Sequence, residues 1–291
     1  MDHLLRTTAS TTQANDWALV LTAASIEHRI DERDGHFALV VHAADAATAG
    51  EALDAFDAEG APERPPPAPD LGWSPLGVVC AVGFVAMLQV TGTWEQQSIW
   101  FKVGAASADA IMHGELWRAV TAMTLHADMF HAVSNVVGTL IFMSAVGRWL
   151  GGGLSAMLIL LSGIAGNLLT AVYHRTDHNS VGSSTAVFAA IGIMAGLQAV
   201  RRLRVRTGPA FWWVPLGAGL ALFAMIGTAP GADYRAHLFG LGFGVLFGAG
   251  WAFAQLKRRW RAPGPIVQGL LGLAALGVVA GCWVLAFRHP G

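Results

Sequence analysis

Apolar segments about as long as a bilayer is thick follow one another over most of the chain, and this succession constrains the fold more than any other feature. A helix that crosses the hydrocarbon core needs about 20 predominantly apolar residues. Only 13% of the residues are charged, against roughly 25% in soluble proteins. The sequence therefore predicts an all-α polytopic membrane protein. We place its seven segments near residues 75–92, 129–147, 152–173, 184–200, 211–228, 236–256 and 265–287.

The first 70 residues are of a different, soluble type. Residues 35–42 are typical of a strand that follows a turn at Asp34-Gly35, and residues 44–59 are rich in helix-forming side chains. We interpret this part as a small α+β domain with a hairpin, followed by a semi-rigid proline-rich linker. The predicted domain boundaries are 1–61 for the soluble cytoplasmic domain, 62–74 for the linker, 75–256 for a six-helix core, and 257–291 for a basic loop and an additional transmembrane helix.

Basic residues at the segment ends predict the orientation in the membrane. Clusters at 201–206 and 257–261 follow the fourth and sixth segments, and Arg148 follows the second. Because lysine and arginine are enriched in cytoplasmic loops, we expect the N-terminus inside and the C-terminus outside. The Ala-, Gly- and Arg-rich composition favours a prokaryotic plasma membrane, and no cleaved signal peptide is expected. Segments two, four and six then begin at the outer face.

Each segment that begins at the outer face opens with polar residues. His126 precedes segment two, and His131 and Asn135 lie four residues apart on one face of its helix. Ser184 opens segment four and His237 lies at the start of segment six. A serine there is, taken alone, more typical of a helix cap, but backbone N–H groups at a helix start also favour developing negative charge. Polar groups at this depth are costly unless paired or hydrated, so they predict a functional site.

Glycines at every fourth position mark one face on each of two segments. Small residues let transmembrane helices approach closely, although 35 glycines make chance matches common. If the two faces meet, His237 lies beside Ser184. The face on segment four carries Gly192 and Gly196, and the face on segment six carries Gly240, Gly244 and Gly248.

Four short motifs occur in a defined order. They are Trp117-Arg118, the set His126, His131 and Asn135 with spacing His-x4-His-x3-Asn, the triplet Gly182-Ser183-Ser184, and Ala236-His237-Leu238-Phe239-Gly240. Together they resemble the rhomboid family of intramembrane serine proteases over about residues 75–256. The sequence departs from the family pattern at Thr185, where many members have glycine. The threonine adds bulk beside the serine.

The resemblance implies a role for each matching residue. Ser184 is the implied nucleophile and His237 the implied general base, with no third acid, so Asp233 is interpreted as a loop residue. His131, Asn135 and the Ser184 amide are the implied oxyanion hole. The resemblance also implies that segment five and residues 228–235 form a gate and cap over the site. Structural roles near the site are implied for His126, Trp117, Arg118, Gly182 and Gly240.

The implied activity is hydrolysis of peptide bonds in or near transmembrane segments, close to the outer face. The implied partners are transmembrane protein substrates and the lipid bilayer, with no cofactor, no metal and no nucleic acid; the net charge of −1 also gives no basic excess. Two histidines of the external loop, His174 and His178, are expected to be solvated.

Three other classes of protein remain open. An inactive rhomboid-like protein would bind membrane-protein clients without cutting them, and the presence of both Ser184 and His237 argues against it. A metal or haem protein would use His126, His131 and His237, but no His-Glu-x-x-His pattern or carboxylate partner accompanies them. A small-solute transporter would carry interrupted helices in two matching halves, and no convincing internal repeat is found.

Overall fold

The computed structural model describes residues 2–33, 35–59, 70–203, 212–228, 232–258 and 262–289. The chain divides into two compact units, Met1–Arg64 and Pro65–Gly291, which we take separately. Most of the predicted linker, Asp34 of the predicted turn and parts of both basic clusters lie outside the described residues.

The first unit is an antiparallel sheet with two helices. Its elements are β1 (Asp2–Thr8), α1 (Thr11–Ala23), β2 (His28–Arg33), β3 (His36–His42) and α2 (Ala46–Glu59). The strand order is β1-β3-β2, and β2 and β3 form the predicted hairpin. Leu39 and Val41 alternate along β3 onto one face, where they pack with Trp17, Leu21 and Leu53 of the helices. The predicted α+β class of this unit is confirmed.

The second unit is almost entirely helical. Short elements between the first two long helices form residues 94–128, a segment that we call the outer loop after its predicted side of the membrane. In chain order the elements are α3 (Leu76–Thr91), α4 (Ile99–Gly104), β4 (Ala106–Ser107), α5 (Ala108–Met112), α6 (Arg118–Thr121), a 3₁₀ turn Ala122–Thr124, α7 (Met129–Gly138), a π-helical turn Thr139–Met143, α8 (Ser144–Leu150), α9 (Gly152–His174), β5 (Asn179–Ser180), α10 (Ser184–Leu203), α11 (Val214–Leu222), a second π-helical turn Phe223–Gly227, α12 (Tyr234–Arg258) and α13 (Pro265–Arg288).

Six stretches of this unit are long and apolar enough to cross a membrane, among the residues that the structure describes. They correspond to predicted segments one to four, six and seven, so the chain is a multi-pass integral membrane protein. Segment five is shorter than predicted: its helix, Val214–Gly227, begins beside a proline in its first turn and follows two tryptophans that are not helical. It is the one segment too short to count as a candidate span by length.

Helix α10 lies at the centre of the bundle. In its most apolar stretch of 18 residues, 78% is buried within the protein, against 17–44% for the corresponding stretches of the other five spans. A helix that other helices surround on all sides has little contact with lipid, so its few polar groups must be satisfied by protein or by an internal cavity. Ser184 is the first residue of this helix.

The glycine faces of α10 and α12 meet, which the sequence left open. A Cβ atom added at Gly192 would lie 2.1 Å from the carbonyl oxygen of Leu241, and one added at Gly244 would lie 2.3 Å from that of Ala189. Both distances are far below van der Waals contact, so only glycine lets the two backbones come this close. The two helices therefore run side by side along this contact.

Candidate active site

Ser184 and His237 form a hydrogen-bonded pair at the N-terminal ends of α10 and α12. The Oγ of Ser184 lies 2.7 Å from Nε2 of His237. Phe188, one turn after Ser184, stacks on the imidazole with ring centroids 4.8 Å apart and planes inclined by 28°. This stacking restricts rotation of the imidazole ring. The contact of Phe188 was not predicted from the sequence, although its four-residue spacing from Ser184 places both residues on one helix face.

The other ring nitrogen of His237 is bound by a backbone carbonyl. Its Nδ1 lies 2.8 Å from the oxygen of Gly227, the last residue of the second π-helical turn. A carbonyl only accepts hydrogen bonds, so Nδ1 carries the proton when the imidazole is neutral. The lone pair of Nε2 then faces the Ser184 hydroxyl, which donates to it. This is the tautomer that a general base requires.

Asp233 is engaged elsewhere and does not reach Nδ1 of His237. One carboxylate oxygen accepts from the amide of Ala236 at 3.1 Å and the other lies 2.8 Å from Nε2 of His178. Burial raises the pKa of Asp233, but hydrogen bonds from His178, the Ala236 amide and Ser180 outweigh it and lower the pKa to about 2. The geometry agrees with the interpretation of Asp233 as a residue of the loop, where it caps α12.

The two external histidines differ from their expected solvation. His178 is partly buried and pairs with Asp233, and His174 stacks on it with ring centroids 3.8 Å apart. Residue 174 is also the last residue of α9 rather than part of the loop. The expectation failed because the loop folds back on the start of α12, a contact between distant segments.

A tight turn presents Ser184 to the site. Gly182 has a φ of +134°, and a Cβ atom there would lie 2.5 Å from Cε1 of His131. Its N–H donates to the carbonyl of Ala122 at 2.9 Å. The Oγ of buried Ser183 lies 3.3 Å from Nε2 of His126. Both residues before Ser184 are therefore held by the outer loop.

His126 is enclosed by the outer loop and α3. Its ring packs edge-on against Phe84 at 5.7 Å and against His131 at 5.8 Å. Burial, with a smaller contribution from the charge of His131, lowers the pKa of His126 to about 4. At neutral pH the ring is uncharged and fits its contact with Ser183.

His131 and Asn135 line the same cavity as Ser184 and His237, which has a volume of about 500 Å³. The carboxylate of Asp128 caps α7 by accepting from the His131 amide at 2.8 Å. Asn135 is 5% exposed, and its Nδ2 has no hydrogen-bond partner among the described residues. A buried amide donor without a partner is costly. It is therefore suited to an oxygen that develops negative charge in the cavity.

Trp117 and Arg118 organise the outer loop away from the cavity. The Nη1 of Arg118 donates to the carbonyls of Lys102 and Ala105, both at 2.9 Å, and its Nε pairs with Glu115 at 2.6 Å. The indole N–H of Trp117 donates to the carbonyl of Val103 at 3.3 Å. These bonds tie α6 to the segment around α4.

Thr185 and Gly240 meet at the junction of α9, α10 and α12. A Cβ atom on Gly240 would lie 2.5 Å from the Thr185 carbonyl. The buried Thr185 methyl group lies close to the glycine positions of both neighbouring helices, 3.0 Å from a Cβ at Gly240 and 3.1 Å from one at Gly166. Its bulk therefore fills the helix junction, and Thr185 is not among the residues that line the cavity.

The fold and the site define a class of protein, an integral membrane protein with a serine–histidine pair in a cavity of its helical bundle. Among the described residues no group of three or more His, Cys, Asp or Glu side chains is placed to hold a metal ion. The family profile of the Rhomboid domain matches residues 113–253. The chain belongs to the rhomboid family.

Similar proteins include one from a bacterium and two from a plant. The chain is 31% identical to the putative rhomboid protease YdcA of Bacillus subtilis (strain 168), over 47% of this chain and 67% of that protein. It is 28% identical to RHOMBOID-like protein 1 of Arabidopsis thaliana, over 50% of this chain and 38% of the relative. For the mitochondrial RHOMBOID-like protein 6 of the same plant the identity is 29%, over 63% and 64%. The chain thus spans from about two fifths to two thirds of these relatives.

Proposed function

We propose that this protein is an intramembrane serine endopeptidase, with Ser184 as nucleophile and His237 as general base. The observation that carries the proposal is the 2.7 Å contact of Ser184 Oγ with Nε2 of His237, whose Nδ1 is held by a carbonyl at 2.8 Å. A neutral imidazole in this tautomer accepts the serine proton without a third acid.

The proposed reaction has two steps of acyl transfer. Ser184 Oγ attacks the scissile carbonyl carbon while its proton moves to Nε2 of His237, and the resulting oxyanion accepts hydrogen bonds from Asn135, His131 and the Ser184 amide. Nε2 returns the proton to the leaving amine as the peptide bond breaks. Water then attacks the acyl-enzyme with the same base, which frees the second product and Ser184.

The proposed substrates are transmembrane segments of other membrane proteins, cut near the outer face. Support comes from the cavity, which opens where α7, α10 and α12 begin, and from the basic residues at their opposite ends. In this orientation the N-terminal unit is cytoplasmic and the membrane is a prokaryotic plasma membrane. The proposed cover of the site is the short segment that ends at Gly227, since Ile226 lines the cavity, as does Ala232 beyond it; positions 229–231 lie outside the described residues.

The test is cleavage of a single-span substrate by purified protein in liposomes, together with labelling by a fluorophosphonate probe. Wild type is compared with Ser184→Ala, His237→Ala and the control Ser162→Ala, which removes an intramembrane hydroxyl that bonds only the Leu158 carbonyl of its own helix. We expect Ser184→Ala and His237→Ala to lose at least about 10³-fold in rate, and the control to match wild type.

Two outcomes would count against the proposal. Cleavage by Ser184→Ala at the wild-type rate would mean that another nucleophile, or a contaminant, is responsible. Folded wild-type protein that neither cleaves nor reacts with the probe would favour the rhomboid-like protein that binds clients without cutting them.

A further inference from the structure

The seventh helix, α13, lies outside the Rhomboid-domain match and has no part in the proposed chemistry. It is nevertheless fastened to the core near both ends. At its start, Gln268 Nε2 donates to the carbonyl of Leu150 at 2.7 Å, and Gln268 Oε1 accepts from the amide of Leu154 at 2.8 Å. One side chain thus holds α13 on the turn between α8 and α9.

The other attachment is Trp283, which is 8% exposed. Its indole N–H donates to Oγ1 of Thr124 at 3.2 Å. The ring lies directly on Gly104, where a Cβ atom would approach it to 2.5 Å, and packs edge-on against Trp100 with centroids 4.9 Å apart. A buried indole N–H normally needs a partner, and Thr124 supplies it here.

Thr124 belongs to the 3₁₀ turn Ala122–Thr124, which also supports the turn before Ser184. The carbonyl of Ala122 accepts from the Gly182 amide at 2.9 Å. His126, two residues beyond Thr124, contacts Oγ of Ser183 at 3.3 Å. The segment 122–126 is therefore held by α13 on one side and holds the two residues before Ser184 on the other.

We propose that Trp283 is a positioning residue for Ser184, acting through Thr124 and the segment 122–126. The proposal rests on the protease function proposed above. Trp283 does not line the cavity, so it has no contact through which to bind substrate. Its loss shifts the serine turn relative to His237, and this lowers the rate of attack while substrate binding stays unchanged.

The experiment compares Trp283→Phe, Thr124→Val and the double variant in liposomes. Thr124→Ser, which keeps the hydroxyl, and Trp73→Phe, at an indole that is 79% exposed, are the controls. The readouts are the fluorophosphonate labelling rate of Ser184, kcat and KM for a single-span substrate, and the thermal unfolding midpoint. All rates are measured well below that midpoint.

Trp283→Phe is expected to lower the labelling rate and kcat about threefold to tenfold, as the loss of one buried hydrogen bond implies. Thr124→Val removes the same bond and also the hydrogen bond that Thr124 Oγ1 donates to the Thr121 carbonyl at 2.8 Å, so it is expected to lower both rates at least as much. KM stays within about twofold of wild type and the controls match wild type. The double variant loses no more than Thr124→Val, because that variant already removes the hydrogen bond that Trp283→Phe removes.

Labelling of both single variants at the wild-type rate would overturn the proposal, even with a lowered unfolding midpoint, because Trp283 would then be structural only. Additive losses in the double variant, or a change confined to KM, would overturn it as well. Should Trp283→Phe fail to fold, Thr124→Val against Thr124→Ser decides the question. If wild-type protein does not react with the probe, the proposed protease function and this inference both fail. If wild type reacts but the variants react equally fast, only this inference fails, so the two failures can be told apart.

Discussion

The Gly227 carbonyl occupies the place on His237 that a carboxylate occupies in a catalytic triad. Its 2.8 Å contact with Nδ1 orients the imidazole, and the stacked ring of Phe188 restricts its rotation. A carbonyl offers less charge stabilisation to an imidazolium than a carboxylate does, but it selects the same tautomer. The nearby acid, Asp233, serves the fold of the loop instead.

Asp233→Asn is expected to leave most activity intact. The amide oxygen of the new side chain still accepts from the Ala236 amide, while its NH2 group replaces the oxygen that faces His178 and Ser180. The change therefore weakens the loop without altering the partner of His237 Nδ1, and we expect kcat within about fivefold of wild type, against the loss of about 10³ or more for His237→Ala. The measurement is steady-state cleavage in liposomes. A loss as large as that of His237→Ala would show that Asp233 belongs to the catalytic machinery.

Gly182→Ala is expected to abolish most of the activity. The φ of +134° disfavours any side chain, at a cost of about 1–3 kcal/mol, and the new methyl group would also displace the His131 ring. Gly114→Ala is the matched control, since Gly114 has a φ of +105° but nothing within 4 Å of its Cβ position. We expect both variants to lower the unfolding midpoint and only Gly182→Ala to lose labelling of Ser184. Equal labelling in the two variants would contradict this.

Acid is expected to destabilise the protein in part through His126. Its folded-state pKa of about 4 lies below the ordinary value of 6.5, so the unfolded chain takes up a proton more readily than the folded one. This contribution to stability is complete above about pH 6.5 and is lost as the pH falls towards about 4. Unfolding midpoints measured between pH 7.5 and 4.5 are expected to fall less in His126→Gln than in wild type. Identical pH dependence would contradict the assignment.

At the scale of elements, the contact between α10 and α12 decides whether the site exists. Each helix carries one half of the serine–histidine pair, and glycines bring the two backbones within reach of each other. The π-helical turn at Phe223–Gly227 adds the carbonyl that orients His237. Three elements from different parts of the sequence must therefore be positioned relative to one another to within a few tenths of an ångström.

Gly244→Ala is expected to separate α10 from α12. The added methyl group would lie 2.3 Å from the Ala189 carbonyl, and such overpacking costs about 1–3 kcal/mol. A displacement of about 1 Å at the serine–histidine pair lowers the rate by about 10²-fold. Gly242→Ala, on the same helix with nothing within 4 Å of its Cβ position, is the control. Cleavage and the unfolding midpoint are measured for both; equal effects would show that helix propensity, and not the close contact, is responsible.

At the scale of the whole molecule, the two units have separate hydrophobic cores. The first unit is near the lower limit of size at which a domain is stable on its own. Its core depends on few side chains, whereas the helical unit has the bilayer to support it. The two units are therefore expected to lose structure independently.

Leu53→Ala is expected to unfold the first unit and to leave the reactivity of Ser184 unchanged. Leu53 is fully buried, and truncation of a buried leucine costs about 2–5 kcal/mol. Leu19→Ala, at a side chain that is 68% exposed, is the control. Limited proteolysis reports on the first unit and fluorophosphonate labelling on Ser184. Loss of labelling together with the first unit would mean that the two units depend on each other.

The sequence alone determined the class of this protein, six of its seven predicted spans and its family. A bilayer demands long apolar runs, and such runs are local features that can be read without knowing their neighbours. The strand at 36–42 and the helix at 46–59 were likewise predictable from local patterns. The polar residues at the starts of α7, α10 and α12 were conspicuous for the same reason, because each stands alone against an apolar background.

Only the tertiary structure decided what these residues touch. The partner of His237 Nδ1 is a backbone carbonyl, a group that every residue carries and that no residue type signals. The pair of His178 with Asp233 and that of Trp283 with Thr124 join positions 55 and 159 residues apart. Contacts at such separations arise from the packing of helices. Local pattern therefore specified the helices and their polar ends, while close packing between distant glycines brought those ends together into one site.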